Sequence, residues 1–197
     1  MSEKSASYLD KLFGLEGRTA VVTGGNRGIG QVVARGLASA GAEVVVISRS
    51  GGAETVKLIL EDGNKAYDIK ADVTDEKSVD RAVEEIEKRS GGIHVLFNNA
   101  GICIHKSTFE ASIEEFRQVV DVNLTGEYIM ARSAARLMVQ KKIHGSIINM
   151  ASMSGTIVNI PQWQASYNAS KAGVIHLTKS LALEWIPYGI RVNSLSP

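Results

Sequence analysis

From residue 18 onward, apolar positions along the chain switch between two periods. Thr19-Ala20-Val21-Val22 and Glu43-Val44-Val45-Val46-Ile47-Ser48 carry short apolar runs with no polar alternation, the pattern of strands buried on both faces. Between them Val32, Val33, Leu37 and Ala38 recur at helical spacing. The same rhythm predicts a helix over about 53–61, ended by Gly63, and a third strand over about 65–71. Asp75 is placed to cap a helix running to about Arg89, with Val79, Val83 and Ile86 on one face and Gly91-Gly92 as its stop. Beyond it the pattern predicts a fourth strand over 93–97 and one long helix over about 112–140. A fifth strand over 146–150, a helix over about 164–184 and a sixth strand over 190–193 follow. Residues 1–17 read as a lead-in, with Tyr8, Leu9, Leu12 and Phe13 packing as a short helix.

Such alternation implies an α/β fold: one Rossmann-type domain, a doubly wound parallel sheet with helices on both faces, built from right-handed crossovers. No linker, repeat or low-complexity segment interrupts it. The sixth strand runs straight into Ser194-Leu195-Ser196-Pro197, with no helix to cover it. That ending implies a single domain, 1–197, cut short at its C-terminus.

Composition narrows the function classes. Of 197 residues, 44% are hydrophobic and 22% charged, and the net charge is +1. That balance argues against nucleic acid or an anionic membrane as the main partner. One cysteine, Cys103, excludes an internal disulfide and fits a reducing compartment. The N-terminus lacks a secretory pattern and no apolar run is long enough for a membrane span, so the chain reads as soluble and cytoplasmic. The four histidines show no paired ligand spacing, and Cys103-x-His105 stands alone, so no metal site is expected.

The chemistry sits at strand ends. Thr23-Gly24-Gly25-Asn26-Arg27-Gly28-Ile29-Gly30 is a glycine-rich strand-to-helix turn. In that context a pyrophosphate can approach free N–H groups at a helix N-terminus. The second strand ends Ser48-Arg49, with no Asp or Glu from Val44 to Gly52. An acid there would bind ribose hydroxyls, whereas an arginine suits a 2′-phosphate. With Arg27 nearby, NADP(H) is favoured over NAD(H). Tyr167 and Lys171 lie four apart at the start of a helix, hence on one face. A free tyrosine titrates at about 10. A neighbouring ammonium favours the phenolate and makes the pair a general acid/base for carbonyl–alcohol exchange. Ser152 closes the fifth strand, where a hydroxyl can donate to a developing oxyanion.

Together these stretches resemble the short-chain dehydrogenase/reductase family over nearly the whole chain. The matching motifs are TGGNRGIG (23–30), Asp72-Val73, NNAG (98–101), Asn123 in VNLTG, Ser152, YNASK (167–171) and RVNSLSP (191–197). The resemblance implies that Gly24, Gly28 and Gly30, with Asn26, Arg27 and Ile29, form the cofactor loop. It implies that Ser48 and Arg49 face the adenosine end and that Asp72 and Val73 contact the adenine. Asn99, Ala100 and Gly101 would pass the ribose, with Pro197 also at the cofactor. Tyr167 would protonate the carbonyl oxygen, Lys171 would bind the nicotinamide ribose, and Ser152 would position the substrate oxygen. Asn123 would hold a water in a proton relay through Lys171.

Three departures bear on that assignment. Counting back from Tyr167 at the family's usual interval lands on Ser154, while the strand end selects Ser152 and a loop two residues longer. His94 stands where the family commonly has an acid, and reads as structural. The family's substrate-covering segment lies beyond Pro197. What remains of the substrate border is the loop 155–166, where Asn159, Gln162, Gln164 and Trp163 suit a polyhydroxylated ligand. That local pattern resembles NADP-linked polyol dehydrogenases, the mannitol dehydrogenases and sorbose reductases of fungi. Apolar residues on several faces of the 112–140 helix imply burial beyond the sheet. With the resemblance, they imply a homodimer or homotetramer. The expected activity is NADP(H)-linked reduction of a ketose or oxidation of its polyol. A 3-oxoacyl thioester or other small-ketone reductase, and a non-catalytic nucleotide-binding member of the fold, are the alternatives.

Overall fold

The computed structural model describes residues 8–197, and of residues 9–11 only the backbone. After α1 (Tyr8–Phe13) come β1 (Thr19–Thr23), α2 (Gly28–Ser39), β2 (Glu43–Ser48), α3 (Ala53–Glu61) and β3 (Ala66–Lys70). The second half runs α4 (Glu76–Ser90), β4 (Val95–Asn98), α5 (Ile113–Val120), α6 (Gly126–Gln140), β5 (Ser146–Met150), α7 (Ala165–Trp185) and β6 (Arg191–Leu195). All five strand pairings are parallel, in the order β3-β2-β1-β4-β5-β6. The winding reverses between β1 and β4, and a ligand crevice opens at the C-terminal ends of strands at such a switch point.

Two apolar layers hold the sheet, one per face. Because side chains alternate along a strand, Val21, Val45, Leu96 and Ile147 enter one layer with residues of α4, α6 and α7. Ala20, Val22, Val44, Val46 and Phe97 enter the other, against α2 and α3. On β6 only Val192 is buried, while Arg191, Asn193 and Leu195 are exposed. Local signals account for several ends. Asp75 caps α4 by accepting from the Lys77 N–H, and Gly91 closes it in the left-handed region. Ser112 and Glu115 form a reciprocal capping box on α5.

Two expectations fail. The stretch 112–140 is not one α-helix: a π turn, Asp121–Thr125, separates α5 from α6. Its cause is Asn123, whose side chain turns inward to bond a neighbouring loop and α7, and such inserts mark functional sites. In α1, Tyr8, Leu12 and Phe13 are exposed rather than packed, since this short helix has no described apolar surface against it. The Leu9 side chain lies outside the described residues, as do residues 1–7.

A buried polar row crosses the C-terminal edge of the sheet. Thr23 Oγ1 donates to Asn98 Oδ1 (3.5 Å), and Asn98 Nδ2 donates to Asn149 Oδ1 (3.2 Å) and to the Glu127 carbonyl (2.9 Å). Asn149 Nδ2 in turn donates to Thr178 Oγ1 (3.0 Å) on α7. Each side chain satisfies its neighbour, which is what makes the burial tolerable. Replacing Asn98 by Ala strips donors from Asn149 and Glu127 and should destabilise the protein by about 2–4 kcal/mol. The midpoint of denaturant unfolding measures this; an unmoved midpoint would show that the row is not a structural tie.

Candidate active site

The glycine turn at the end of β1 lies against the end of β4. Thr23 Oγ1 accepts from the backbone N–H groups of Asn99 (2.9 Å) and Ala100 (3.0 Å). Asn99 Nδ2 donates to the carbonyls of Thr23 (3.1 Å) and Gly24 (3.2 Å). The approach leaves no room for side chains: a Cβ on Gly30 would collide with the Gly24 carbonyl and the Asn99 amide. Gly24, at φ +62°, also needs the left-handed region.

Beside this contact a cleft of about 460 Å³ opens along the ends of β1, β2, β3 and β4. Gly24, Asn26, Arg27, Gly28 and Ile29 line it, as do Ser48, Arg49, Asp72, Val73, Asn99, Ala100 and Gly101. Of the positions expected at the cofactor from the first four strands, all but Gly30 line this cleft, and Gly30 packs instead against Gly24 and Asn99. Helix α2 aims its N-terminus here with no side-chain cap and no acid in its first turn, so its first N–H groups remain open to an anion. Asp72 accepts from the Thr74 N–H (3.0 Å) and hydroxyl (2.8 Å). Burial works to raise its pKa, but these bonds and the Arg49 charge outweigh burial and hold it below the usual carboxylate value. Ser48 commits its hydroxyl proton to the Gly51 carbonyl (2.7 Å), and Arg49 brings a positive charge to that end of the cleft. The close backbone approach, open N–H groups and arginine-lined wall fit a dinucleotide pyrophosphate.

A second cleft, about 270 Å³, lies at the ends of β5 and β6. Ser152, Ser154, Asn159, Gln162, Tyr167 and Pro197 line it, with Cys103, His105, Met153 and Gln164. Ser152 begins a tight 3-10 turn, Met153–Gly155, and accepts from the Ser154 N–H (3.2 Å). That turn lies directly on α7: a Cβ on Gly155 would sit 2.7 Å from the Lys171 backbone carbon. Ser154 Oγ accepts from both Asn159 Nδ2 (3.0 Å) and Gln164 Nε2 (3.2 Å), which crowd it from the loop, whereas Ser152 Oγ accepts only from the Ser154 N–H among the described residues. Pro197 reaches the site through its carbonyl, which accepts from the Met153 N–H.

One turn of α7 places Tyr167 and Lys171 together, with Lys171 Nζ 5.9 Å from the Tyr167 ring centroid. Lys171 is buried; it donates to the Met150 carbonyl and, at 3.3 Å, to Glu127 Oε1. Burial pushes the Glu127 pKa up to about 8, against the opposing pull of Lys171. Asn123, fully buried in the π turn, accepts from the Ile102 N–H (2.8 Å) and donates to the Ile102 carbonyl (2.9 Å) and Ser170 Oγ (3.1 Å). It thereby ties the loop after β4 to α7.

Trp163 is not brought in. Its neighbours Gln162 and Gln164 line the cleft, while Trp163 points outward and is 60% exposed. His94 lies at the opposite end of the sheet. Its Nδ1 accepts from the Thr19 N–H (3.1 Å), and burial together with Arg18 lowers its pKa, consistent with a neutral structural role. Sequence reasoning missed Cys103 and His105, although their place just after a strand end was a usable signal. It also missed Glu127, a lone acid four residues after Asn123. No group of three metal-ligating side chains is found among the described residues, and no described helix is long and apolar enough to cross a membrane.

The sheet order, the glycine turn at the switch point and the cleft beside it define a doubly wound α/β nucleotide-binding domain. Comparison with known proteins makes this specific. The family model for short chain dehydrogenase matches residues 18–197, and the chain belongs to that family of oxidoreductases. It is 42% identical to a sorbose reductase of Candida albicans, over 94% of this chain and 67% of that one. Identity to a galactitol 2-dehydrogenase of Rhizobium johnstonii is 44%, over 97% and 74% of the two chains. An NADP-dependent mannitol dehydrogenase of Alternaria alternata is 40% identical, over 100% and 76%. Among solved structures, a short-chain type dehydrogenase/reductase from Mycobacterium marinum superposes with a TM-score of 0.94 at 41% identity, over 97% and 78%. A putative 2-deoxy-D-gluconate 3-dehydrogenase from Agrobacterium tumefaciens with bound NADP gives 0.84 at 38% identity, over 94% and 72%.

Proposed function

We propose that the protein is an NADP(H)-dependent oxidoreductase that interconverts a ketose and its polyol. The observation that carries the reading is the convergence of Tyr167 and Ser152 on one small cleft, with the buried Lys171 ammonium behind the tyrosine. The bound nicotinamide supplies or accepts the hydride. In reduction Tyr167 gives its hydroxyl proton to the carbonyl oxygen, and in alcohol oxidation it takes that proton back. Ser152 donates its O–H to the same oxygen and stabilises the developing charge. Lys171 supplies the positive field that favours the tyrosinate and holds the nicotinamide ribose. Asn123 positions the loop and α7, and a relay water between it and Lys171 completes the proton path.

For the cofactor, Arg27 and Arg49 on the cleft wall and the absence of acid from Val44 to Gly52 support a 2′-phosphate partner. The relatives named for NADP point the same way. For the substrate, Asn159 and Gln162 at the second cleft offer amide donors and acceptors to hydroxyl groups. The sugar and polyol substrates in the relatives' names agree. A cytoplasmic setting rests on the single cysteine. A homo-oligomer, dimer or tetramer, rests on the groove between α6 and α7, where Tyr128, Val139 and Tyr188 are exposed.

Three outcomes are expected. Tyr167→Phe should lose at least about 100-fold in kcat while keeping its NADPH affinity; unchanged turnover on a panel of ketoses would refute the acid–base role. Arg49→Ala should weaken NADPH about 10-fold or more and leave NADH nearly unaffected, because only the phosphate ester loses a charge-assisted bond. Equal weakening of both would remove Arg49 from cofactor choice. Light scattering should give a multiple of the chain mass, and a monomer mass would sink the oligomer.

A further inference from the structure

Lys171 is the one buried Lys or Arg among the described residues, and the group opposite it is unusual. Glu127 opens α6 directly after the π turn and is 2% exposed. One carboxyl oxygen meets Lys171 Nζ at 3.3 Å, while Oε2 is buried with no hydrogen-bond partner among the described residues. An ionised carboxylate needs donors on both oxygens, and a buried anionic oxygen without one carries a heavy desolvation cost. A neutral carboxylic acid, with its carbonyl oxygen toward Lys171, leaves at Oε2 an unpaired hydroxyl in place of an unpaired anion, and that costs less in this pocket. The raised Glu127 pKa agrees with that geometry.

The surroundings contain little else that is charged. From α7 come Lys171 and, beyond it, Tyr167. Strand β4 presents the Asn98 amide to the Glu127 backbone carbonyl, and β5 presents the Met150 carbonyl to the same Lys171 ammonium. The segment after β3 presents Val73 against Gly126, next to Glu127. Among the described residues, Lys171 is the charged side chain in contact with the Glu127 carboxyl.

We infer that Glu127 is a positioning residue for the Tyr167–Lys171 pair: it orients the buried ammonium through one oxygen, and its own protonation sets how much of that ammonium's field reaches Tyr167. Held neutral, Glu127 leaves the positive charge uncompensated, and the tyrosinate is favoured. Ionised, it places a negative charge 3.3 Å from Nζ, nearer than the Tyr167 ring at 5.9 Å, and cancels much of that field. The pair then weakens as a base when pH rises through the Glu127 transition. This inference rests on the acid–base reading of Tyr167 given above.

The test needs no substrate. Tyrosinate absorbance of the full-length protein is followed against pH, and subtraction of the Tyr167→Phe protein isolates Tyr167. The same subtraction is made in a Glu127→Gln background, where position 127 is neutral at every pH. The expected result is ionisation of Tyr167 at lower pH in the Glu127→Gln protein, with a several-fold larger tyrosinate signal at a fixed alkaline pH. Superimposable curves would overturn the role of Glu127 while leaving the acid–base reading intact. A Tyr167 that ionises no earlier than the other tyrosines in either background would overturn that reading, and this inference with it. Should Glu127→Gln not fold, infrared spectra of the parent protein with isotope-labelled glutamate decide the matter. A carboxylic-acid C=O band at neutral pH, lost on moderate alkalinisation, is expected; its absence would refute the neutral Glu127.

Discussion

The contact between the turn after β1 and the end of β4 is the constraint on which the site depends. At the switch point the two strands feed helices to opposite faces, so their loops part and leave a crevice. Thr23 and Asn99 hold the lips of that crevice together through four hydrogen bonds. The glycines at 24 and 30 are a consequence of that closeness, since a Cβ at either position meets backbone or the Asn99 amide. With the lips fixed, α2 aims uncapped N–H groups into the cleft, and the arginines at its wall supply charge.

The second cleft is organised by buried polar groups rather than by loops. Asn98 and Asn149 link β4 and β5 and reach α7 through Thr178, while Asn123 in the π turn makes a separate tie to α7 through Ser170. In each set the buried side chains satisfy one another, and the low dielectric of the interior strengthens them. Lys171 and Glu127 lie behind them, and Oε2 of Glu127 stands out as an unmade bond in an otherwise paired region. In a well-satisfied network such an orphan is a place where chemistry, rather than packing, explains the residue.

Much of this could be read along the chain. Unbroken apolar runs at Val21 and Val45 announced strands buried on both faces, and both occupy the interior of the parallel sheet. The spacing of Gly24, Gly28 and Gly30 placed a turn between strand and helix, where it is found. Tyr167 and Lys171 share a face of α7 because i and i+4 always do on a helix. Reading failed where a residue's direction depends on distant partners. The apolar pattern ran evenly through 112–140, but Asn123 turned inward and opened a π turn. Trp163 had the composition of a substrate contact and faces away from the cleft. Glu127 carries no signal along the chain, because its partner Lys171 lies forty-four residues later.

Local periodicity and turn chemistry by themselves determined the parallel α/β architecture, the glycine turn and the Tyr–Lys pair, because each is written within a few residues of chain. The family followed from the order of those motifs. Only the tertiary structure decided how the two serines differ, since Ser154 Oγ is crowded by the donors Asn159 and Gln164 from a returning loop and Ser152 Oγ is met by a single backbone N–H among the described residues. It also decided that Glu127 is buried against Lys171 with an oxygen unpaired. Burial and hydrogen-bond satisfaction are properties of neighbours brought together from afar, and no window along the chain contains them.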